Sequence, residues 1–190
     1  MAEETVAKAV MIGGSAGSLT PLLYILKNLR PEFNLPVIIV VHRNNDPNSS
    51  LDTLLNQSSA LPVKEVEDKE PVLPGNIYLA PADYHLLIEK DHTFSLDASE
   101  KVNFSRPSID VSLQTAAEAY GEGLLAILLS GANDDGTEGF AAVKSAGGLA
   151  IAQDPKEAIV PKMTQSVVTK KLVDMVLTTH EIKDYIAGLY

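Results

Sequence analysis

Cysteine is absent from this chain of 190 residues, which excludes disulfides, thiolate metal sites and a cysteine nucleophile. The sequence also has no apolar run approaching the ~20 residues that a membrane-spanning helix needs. The first residues, Met1-Ala2-Glu3-Glu4, are acidic and lack the basic and then apolar order of a signal peptide. These absences fit a protein of the reducing cytoplasm that does not insert into a membrane.

Cations are scarce as well, since 15 Lys and Arg residues stand against 25 Asp and Glu residues, for a formal net charge of −10. Binding to a nucleic acid duplex depends on clustered cations that displace counterions from the phosphates. Nucleic acid is therefore excluded as an expected partner. The acidity by itself indicates a well-hydrated surface.

Apolar residues make up 45% of the sequence, enough for one buried core, and the length suits a single domain over residues 1–190. Thr5–Ile12 and Val37–Val41 are apolar runs without alternation, as expected of strands buried on both faces. Between them, Leu19–Leu29 carries apolar residues at helical spacing. This order predicts a βαβ unit with parallel strands.

The remaining sequence continues this alternation, with one different region in the middle. Four short apolar runs within residues 63–96 predict short strands and hairpins at one edge of the sheet. Further strands are predicted over 123–129, 148–153 and 172–177, with helices over 46–55, 106–120, 137–145, 161–169 and 180–190. We therefore expect a single-domain α/β fold: a doubly wound, mostly parallel sheet with helices on both faces and an antiparallel hairpin at one edge.

Three loops at the carboxyl ends of predicted strands carry the residues of a hydrolase, and such ends are where parallel sheets form their sites. Gly13-Gly14-Ser15-Ala16-Gly17 matches the G-x-S-x-G turn that exposes a nucleophilic serine. His42 follows the second strand and is the candidate base for this serine. Asp134 and Asp135, in the third loop, are both candidates for the carboxylate that orients the imidazole.

Each of these residues also has an ordinary structural interpretation. Ser15 is suited to cap a helix, His42 to end a strand, and either aspartate to cap the helix that follows. The coincidence of all three residue types at predicted strand ends favours a Ser-His-Asp triad. The chain order Ser, His, Asp differs from the Ser, acid, His order of the α/β-hydrolases and argues against that family.

Five ordered blocks of the sequence resemble the catalytic domain of the CheB family of chemotaxis protein-glutamate methylesterases. They span nearly the whole chain and read Ile12-Gly-Gly-Ser-Ala-Gly, Val40-Val41-His42, Leu73-Pro-Gly-Asn-Ile-Tyr-Leu-Ala-Pro81, Arg106-Pro-Ser-Ile-Asp110 and Leu129-Ser-Gly-Ala-Asn-Asp-Asp-Gly136. The resemblance implies a cytoplasmic enzyme that hydrolyses γ-glutamyl methyl esters on chemoreceptor helices and needs neither metal nor organic cofactor. Family members often deamidate receptor glutamines as well.

The resemblance also implies a role for each motif residue. Ser15 becomes the nucleophile, His42 the general base and Asp135, rather than its neighbour, the orienting carboxylate. The backbone N–H groups of Ala16 and Ala132 become the oxyanion hole, in which backbone donors stabilise the developing negative charge.

Arg106 lies in a block that lines the cleft in the family, so the resemblance makes it a candidate substrate contact. A solvated arginine at a helix start is the alternative interpretation. Four rim segments depart from the usual family pattern, namely 16–18, 131–134, Ser105 and Thr164, and we expect them to affect substrate preference more than hydrolysis. The receiver domain usual in the family is not expected, because the first strand begins within a few residues of Met1.

Two other functions stay open from the sequence. One is a hydrolase of small esters, or a glutamine deamidase, without a link to receptors. The other is a binding module in which Gly13–Ser18 cradles a phosphate, as in nucleotide-binding α/β proteins. That turn lacks both the G-x-G-x-x-G spacing and the lysine of a P-loop.

Overall fold

A computed structural model describes residues 6–189 of the protein. The nine strands of this range are β1 (Ala9–Gly14), β2 (Val37–Val41), β3 (Val63–Glu65), β4 (Ile77–Leu79), β5 (His85–Ile88), β6 (Phe94–Asp97), β7 (Leu124–Leu128), β8 (Leu149–Gln153) and β9 (Met175–Leu177). Its six α-helices are α1 (Leu19–Lys27), α2 (Leu51–Ser58), α3 (Ile109–Tyr120), α4 (Thr137–Ser145), α5 (Lys162–Thr169) and α6 (Thr179–Ala187).

Seven of the strands form one parallel sheet in the order β3-β4-β2-β1-β7-β8-β9. All residues of β1, β2 and β7 are buried, which explains why their sequences are apolar without alternation. Strands β1 to β4 form one half of the sheet, with β4 between β2 and the edge strand β3, and β7 to β9 form the other half. β1 and β7 therefore flank the point of reversal, where open α/β sheets form their sites.

The two faces of the sheet belong to separate hydrophobic cores, because successive strand residues point to opposite sides. On one face, Met11 packs in a core that contains Ile109 of α3, Phe140 of α4 and Met163 of α5. On the other face, Ile12 belongs to a core filled from the remaining three helices, α1, α2 and α6. Helices cover both faces, and the predicted α/β fold class is confirmed.

The hairpin of β5 and β6 forms a sheet of its own rather than extending the edge of the parallel one. β3 and β4, expected in the same edge region, are parallel members of the main sheet. The outer side of β5 bonds to α3, since Ser112 Oγ donates to Leu86 O at 2.7 Å and Ile88 N–H donates to Thr115 Oγ1 at 3.0 Å. These side chains occupy backbone groups that a further strand would need.

The predicted helix bounds differ from those in the structure mainly at the first residues of α2 and α3. α2 begins at Leu51 rather than Asp46, and α3 begins at Ile109 rather than Arg106. Asp46 Oδ1 accepts a hydrogen bond from a backbone N–H two residues later, and Ser108 Oγ accepts one from the first turn of α3. Short polar side chains of this kind compete with the helix for backbone donors, so helices begin after them.

The first strand was predicted to begin at Thr5 and the last helix to end at Tyr190, and both of these residues lie outside the described range. Within them, β1 begins at Ala9, and α6 follows a capping box made by Thr178 and Glu181. Across residues 6–189, no helix is both long and apolar enough to cross a membrane.

Candidate active site

Ser15 follows β1 directly and lies in a turn that is tied to the loop after β7. Its N–H donates to Ser130 O at 2.9 Å, and Ser130 Oγ donates to Ala16 O at 2.7 Å. Ser18 Oγ closes the turn by donating to Ser15 O at 2.7 Å. Ser18, not Ser15, is the N-cap residue of α1, so the Ser15 hydroxyl is not used to cap that helix.

Glycine is required beside the serine because other segments approach the backbone closely. A Cβ atom on Gly13 would lie 2.8 Å from Ile109 Cγ2, and one on Gly14 would lie 2.6 Å from Ser18 Cβ. Gly13 therefore lets the turn of Ser15 pack against the start of α3, and Gly14 lets the turn close on Ser18.

His42 bridges Ser15 and Asp135. Its Nδ1 lies 3.1 Å from Ser15 Oγ, and its Nε2 lies 2.6 Å from Asp135 Oδ2. Because an ionised carboxylate only accepts hydrogen bonds, it holds the ring proton on Nε2 and leaves the Nδ1 lone pair facing the serine hydroxyl. A serine in this arrangement can pass its proton to the imidazole as it attacks a carbonyl carbon.

The ring presents its two nitrogens in the reverse of the serine-protease arrangement, where Nε2 faces the serine and Nδ1 faces the aspartate. One nitrogen still accepts from the hydroxyl while the other donates to a carboxylate. The chemistry is therefore preserved, although the ring enters the site from a different direction.

Asp135 is fully buried and collects hydrogen bonds from the start of α3. Besides His42, its carboxylate accepts from five donors: Ile109 N–H at 2.7 Å, Ser108 Oγ at 2.9 Å, Asp110 N–H at 3.0 Å, Gly136 N–H at 3.1 Å and Asn103 Nδ2 at 3.2 Å. Burial alone would raise the pKa of Asp135, but the bonds from His42 and the backbone outweigh it and hold that pKa below its usual value. The carboxylate stays ionised and can stabilise an imidazolium.

Asp134, the other candidate carboxylate, points away from His42. Its side chain is 60% exposed, and its Oδ1 accepts from Ser166 Oγ at 2.5 Å and lies 3.5 Å from Lys162 Nζ. The bond from Ser166 lowers the pKa of Asp134. Asp134 thus holds the loop against α5, while the geometry brings Asp135 to the imidazole.

A second buried carboxylate, Asp110, lies beside Asp135. Its Oδ1 accepts from Gly139 N–H at 2.7 Å and its Oδ2 from Asn103 Nδ2 at 2.8 Å. Burial raises the pKa of Asp110, and the charge of Asp135 adds to the rise. Sequence reasoning missed Asn103 and Ser108 as supports of the triad. The Arg106–Asp110 block was a signal for Ser108, whereas Asn103 precedes the block and had none.

The backbone N–H groups of Ala16 and Ala132 make no hydrogen bond within residues 6–189. Gly131, the residue before Ala132, is fixed through both of its backbone polar groups. Its N–H donates to Val160 O and its carbonyl oxygen accepts from Met163 N–H, each at 3.0 Å. Free N–H groups in loops fixed beside a nucleophile are the donors that an oxyanion needs. Their role as the oxyanion hole stays a prediction.

A polar cavity of about 190 Å³ opens at His42, and its wall includes Arg43, Asn44, Lys101, Phe104 and Arg106. Arg106 Nη1 donates to Ala98 O at 2.9 Å and to Ser99 O at 2.7 Å, so its guanidinium supports the cavity wall. Its predicted contact with substrate stays a prediction. A larger cavity of about 330 Å³ lies at the amino ends of β7 and β8, beside Lys144, and is lined by no residue of the triad.

No group of three His, Asp or Glu side chains suited to a metal ion occurs in the described range, 6–189. The site instead joins a serine, a histidine and an aspartate at the carboxyl ends of three adjacent strands, an arrangement that defines the class of serine hydrolases. A family model described as CheB methylesterase matches residues 10–186. The chain belongs to the CheB methylesterase family.

Individual relatives agree with this assignment. A Leptospira interrogans protein, provisionally named protein-glutamate methylesterase/protein-glutamine glutaminase, is 42% identical over 177 residues, or 93% of this chain and 92% of that protein. The protein-glutamate methylesterase/protein-glutamine glutaminase of Thermotoga maritima is 38% identical over 185 residues, or 96% of this chain but 54% of that protein. The crystal structure of the Thermotoga maritima CheB methylesterase catalytic domain matches with a TM-score of 0.91 and 38% identity, over 97% of this chain and 99% of that chain.

Proposed function

We propose that the protein removes methyl groups from γ-glutamyl methyl esters on the cytoplasmic helices of chemoreceptors. The observation that carries this proposal is the continuous hydrogen-bonded series from Ser15 Oγ through His42 to buried Asp135, in a member of the CheB methylesterase family. The names of the Leptospira and Thermotoga relatives support the same substrate class.

The first half of the reaction forms a glutamyl-enzyme. His42 Nδ1 takes the proton of Ser15 as Oγ attacks the ester carbonyl, while Asp135 stabilises the imidazolium. The oxyanion accepts hydrogen bonds from the N–H groups of Ala16 and Ala132. Collapse of the tetrahedral intermediate breaks the bond to the methoxy oxygen, and methanol leaves with the proton from His42.

The second half releases the product. Water attacks the glutamyl-enzyme, His42 takes its proton and then returns one to Ser15 Oγ as the glutamate carboxylate departs. An amide in place of the ester would release ammonia by the same steps, which corresponds to the glutaminase activity in the relatives' names. We include receptor glutamines as candidate second substrates.

Replacement of Ser15 by alanine tests the proposal directly. Ser15→Ala should reduce methanol release from a tritium-methylated receptor cytoplasmic fragment to background and abolish covalent labelling by a fluorophosphonate. Ser58→Ala, in α2, is the matched control and should retain both. Methanol release by Ser15→Ala at the wild-type rate would refute the role of Ser15.

A panel of small methyl esters separates the proposal from a general esterase. The wild-type protein should prefer the methylated receptor fragment in kcat/KM. Equal or better hydrolysis of unrelated small esters would favour the general esterase, and stabilisation by nucleotides without any ester hydrolysis would favour the phosphate-binding module.

A further inference from the structure

Phe104 is 97% exposed, more than any other large apolar side chain within residues 6–189. Phe104 is one of the residues that line the cavity opening at His42. Aromatic side chains stabilise proteins chiefly through the large apolar area that they bury, and a ring left in water contributes none of this. Burial therefore does not explain a phenylalanine at this position.

The backbone at Phe104 is also unfavourable for this residue. Val102 and Ser105 exchange two hydrogen bonds, of 3.1 and 2.9 Å, and leave Asn103 and Phe104 as the central pair of a tight turn. Their φ angles are +51° and +63°. Turns with two positive φ angles prefer Asn followed by Gly, since a bulky side chain is disfavoured in the left-handed region. Asn103 suits its position, whereas Phe104 does not.

The turn that carries the ring is anchored to the triad. Asn103 Nδ2 donates to Asp135 Oδ1 at 3.2 Å and to Asp110 Oδ2 at 2.8 Å. The residue next to Phe104 is therefore bonded to the carboxylate that orients the catalytic imidazole. A strained conformation that neighbouring contacts maintain beside a site is a reason to look for a function.

Cationic residues line the cavity to which Phe104 belongs, in contrast to the net charge of −10 of the whole chain. Arg43, Lys101 and Arg106 line the same cavity, and Asp83 is the acidic residue in its wall. Arg43 is paired with Glu65, and Arg106 with backbone carbonyls. An apolar ring among cations complements a partner surface that carries both apolar and acidic side chains, as a helix bearing glutamates does.

From these observations we infer that Phe104 is a docking residue for the protein substrate. Its ring packs on apolar side chains of the receptor helix and brings a glutamyl ester of that helix to Ser15. The inference rests on the proposed function. A small ester has no surface for the ring to contact, so Phe104 should affect binding of the protein substrate and leave the hydrolysis of a small ester unchanged.

Phe104→Gly tests the inference, because it removes the ring and suits the positive φ. The kcat/KM for the methylated receptor fragment should fall about ten-fold, mainly through KM, as expected when an aromatic contact residue is lost. The kcat/KM for p-nitrophenyl acetate should not change. Phe104→Leu, which retains an apolar side chain, should recover part of the receptor activity. Leu73→Ala is the matched control, since Leu73 is 51% exposed, precedes the amino end of β4 and does not line the cavity at His42.

Two results would overturn the inference. One is a Phe104→Gly variant that cleaves the receptor fragment as the wild type does, and the other is a parallel loss of activity on both substrates, which would show that the ring supports the site itself. Phe104→Asn repeats the test with a second side chain that tolerates positive φ. Failure of the proposed function is distinguishable, because the wild type itself would then release no methanol from the fragment, and both ideas would fall.

Discussion

The two ends of the triad are held very differently. At the closed end, Asp135 is fully buried, lies 2.6 Å from His42 and accepts five other hydrogen bonds. At the open end, Ser15 and His42 are partly exposed and 3.1 Å apart. The closed end sets the charge and the orientation of the imidazole, whereas the open end leaves the hydroxyl free to reach a substrate.

Among the changes that test this comparison, Asp135→Asn should produce the largest effect, because it breaks the closed end. The amide turns an acceptor into a donor among the N–H groups of α3 and removes the charge that stabilises the imidazolium. We expect kcat for methanol release to fall about 10⁴-fold and the free energy of unfolding to fall by about 1–3 kcal/mol. Asp134→Asn, one residue earlier and exposed, should leave kcat unchanged. Similar losses in the two variants would contradict the distinction between them.

Lowering the pH should reduce the contribution of Asp135 to the stability of the protein. The folded-state pKa of Asp135 lies below its ordinary value of 3.8, so its ionised form is the one that folding favours. Its contribution to stability is complete above the unfolded-state pKa and is lost as the pH falls through the folded-state pKa. The unfolding free energies of wild type and Asp135→Asn, measured with urea over a pH series, should therefore begin to converge as the pH falls below about 4. A difference that stays constant to the lowest pH at which both fold would count against this.

Ser108→Ala sharpens the comparison by removing one support of the closed end. It deletes the hydroxyl that donates to Asp135 and the side chain that caps α3. The free energy of unfolding should fall by about 1 kcal/mol, and kcat should fall about ten-fold with KM unchanged, as a loss of ~1.4 kcal/mol of orientation implies. Ser108→Thr retains the hydroxyl and should recover most of kcat. A change in KM alone would place Ser108 in substrate binding instead.

Glu65→Gln should have the smallest effect, since it alters the open rim. Glu65 is 41% exposed in its side chain and pairs with Arg43, the residue after His42. Such ion pairs contribute about 0–1 kcal/mol. We expect a change in stability within that range, measured by urea unfolding, and an unchanged rate with p-nitrophenyl acetate. A large loss of this rate would show that the open end depends on its rim as strongly as the closed end depends on α3.

Sequence patterns predicted the parts of the site that follow directly from the order of the strands. The strands of Ser15 and His42 are apolar throughout, and their carboxyl ends meet because the strands are parallel neighbours. The same patterns did not distinguish Asp134 from Asp135, because exposure in a loop follows no period. The choice came from the family resemblance, and the geometry of the two side chains agrees with it.

The supports of Asp135 could not be predicted in the same way. The donors that come from Asn103, Ser108, Ile109 and Asp110 lie 25 to 32 residues from Asp135 along the chain, and no local spacing connects them. The start of α3 was predicted three residues too early, which assigned Ser108 to the helix instead of to its cap. The separate hairpin of β5 and β6 also depends on side chains of α3.

By itself, the sequence determined the α/β class, the family and the identity of a serine, a histidine and an aspartate at strand ends, because burial and chain order leave local patterns. Only the tertiary structure decided which imidazole nitrogen faces Ser15, which groups hold Asp135 ionised and where the ring of Phe104 lies. Those features depend on contacts between segments distant in the chain, and such contacts exist only once the sheet and α3 have packed together.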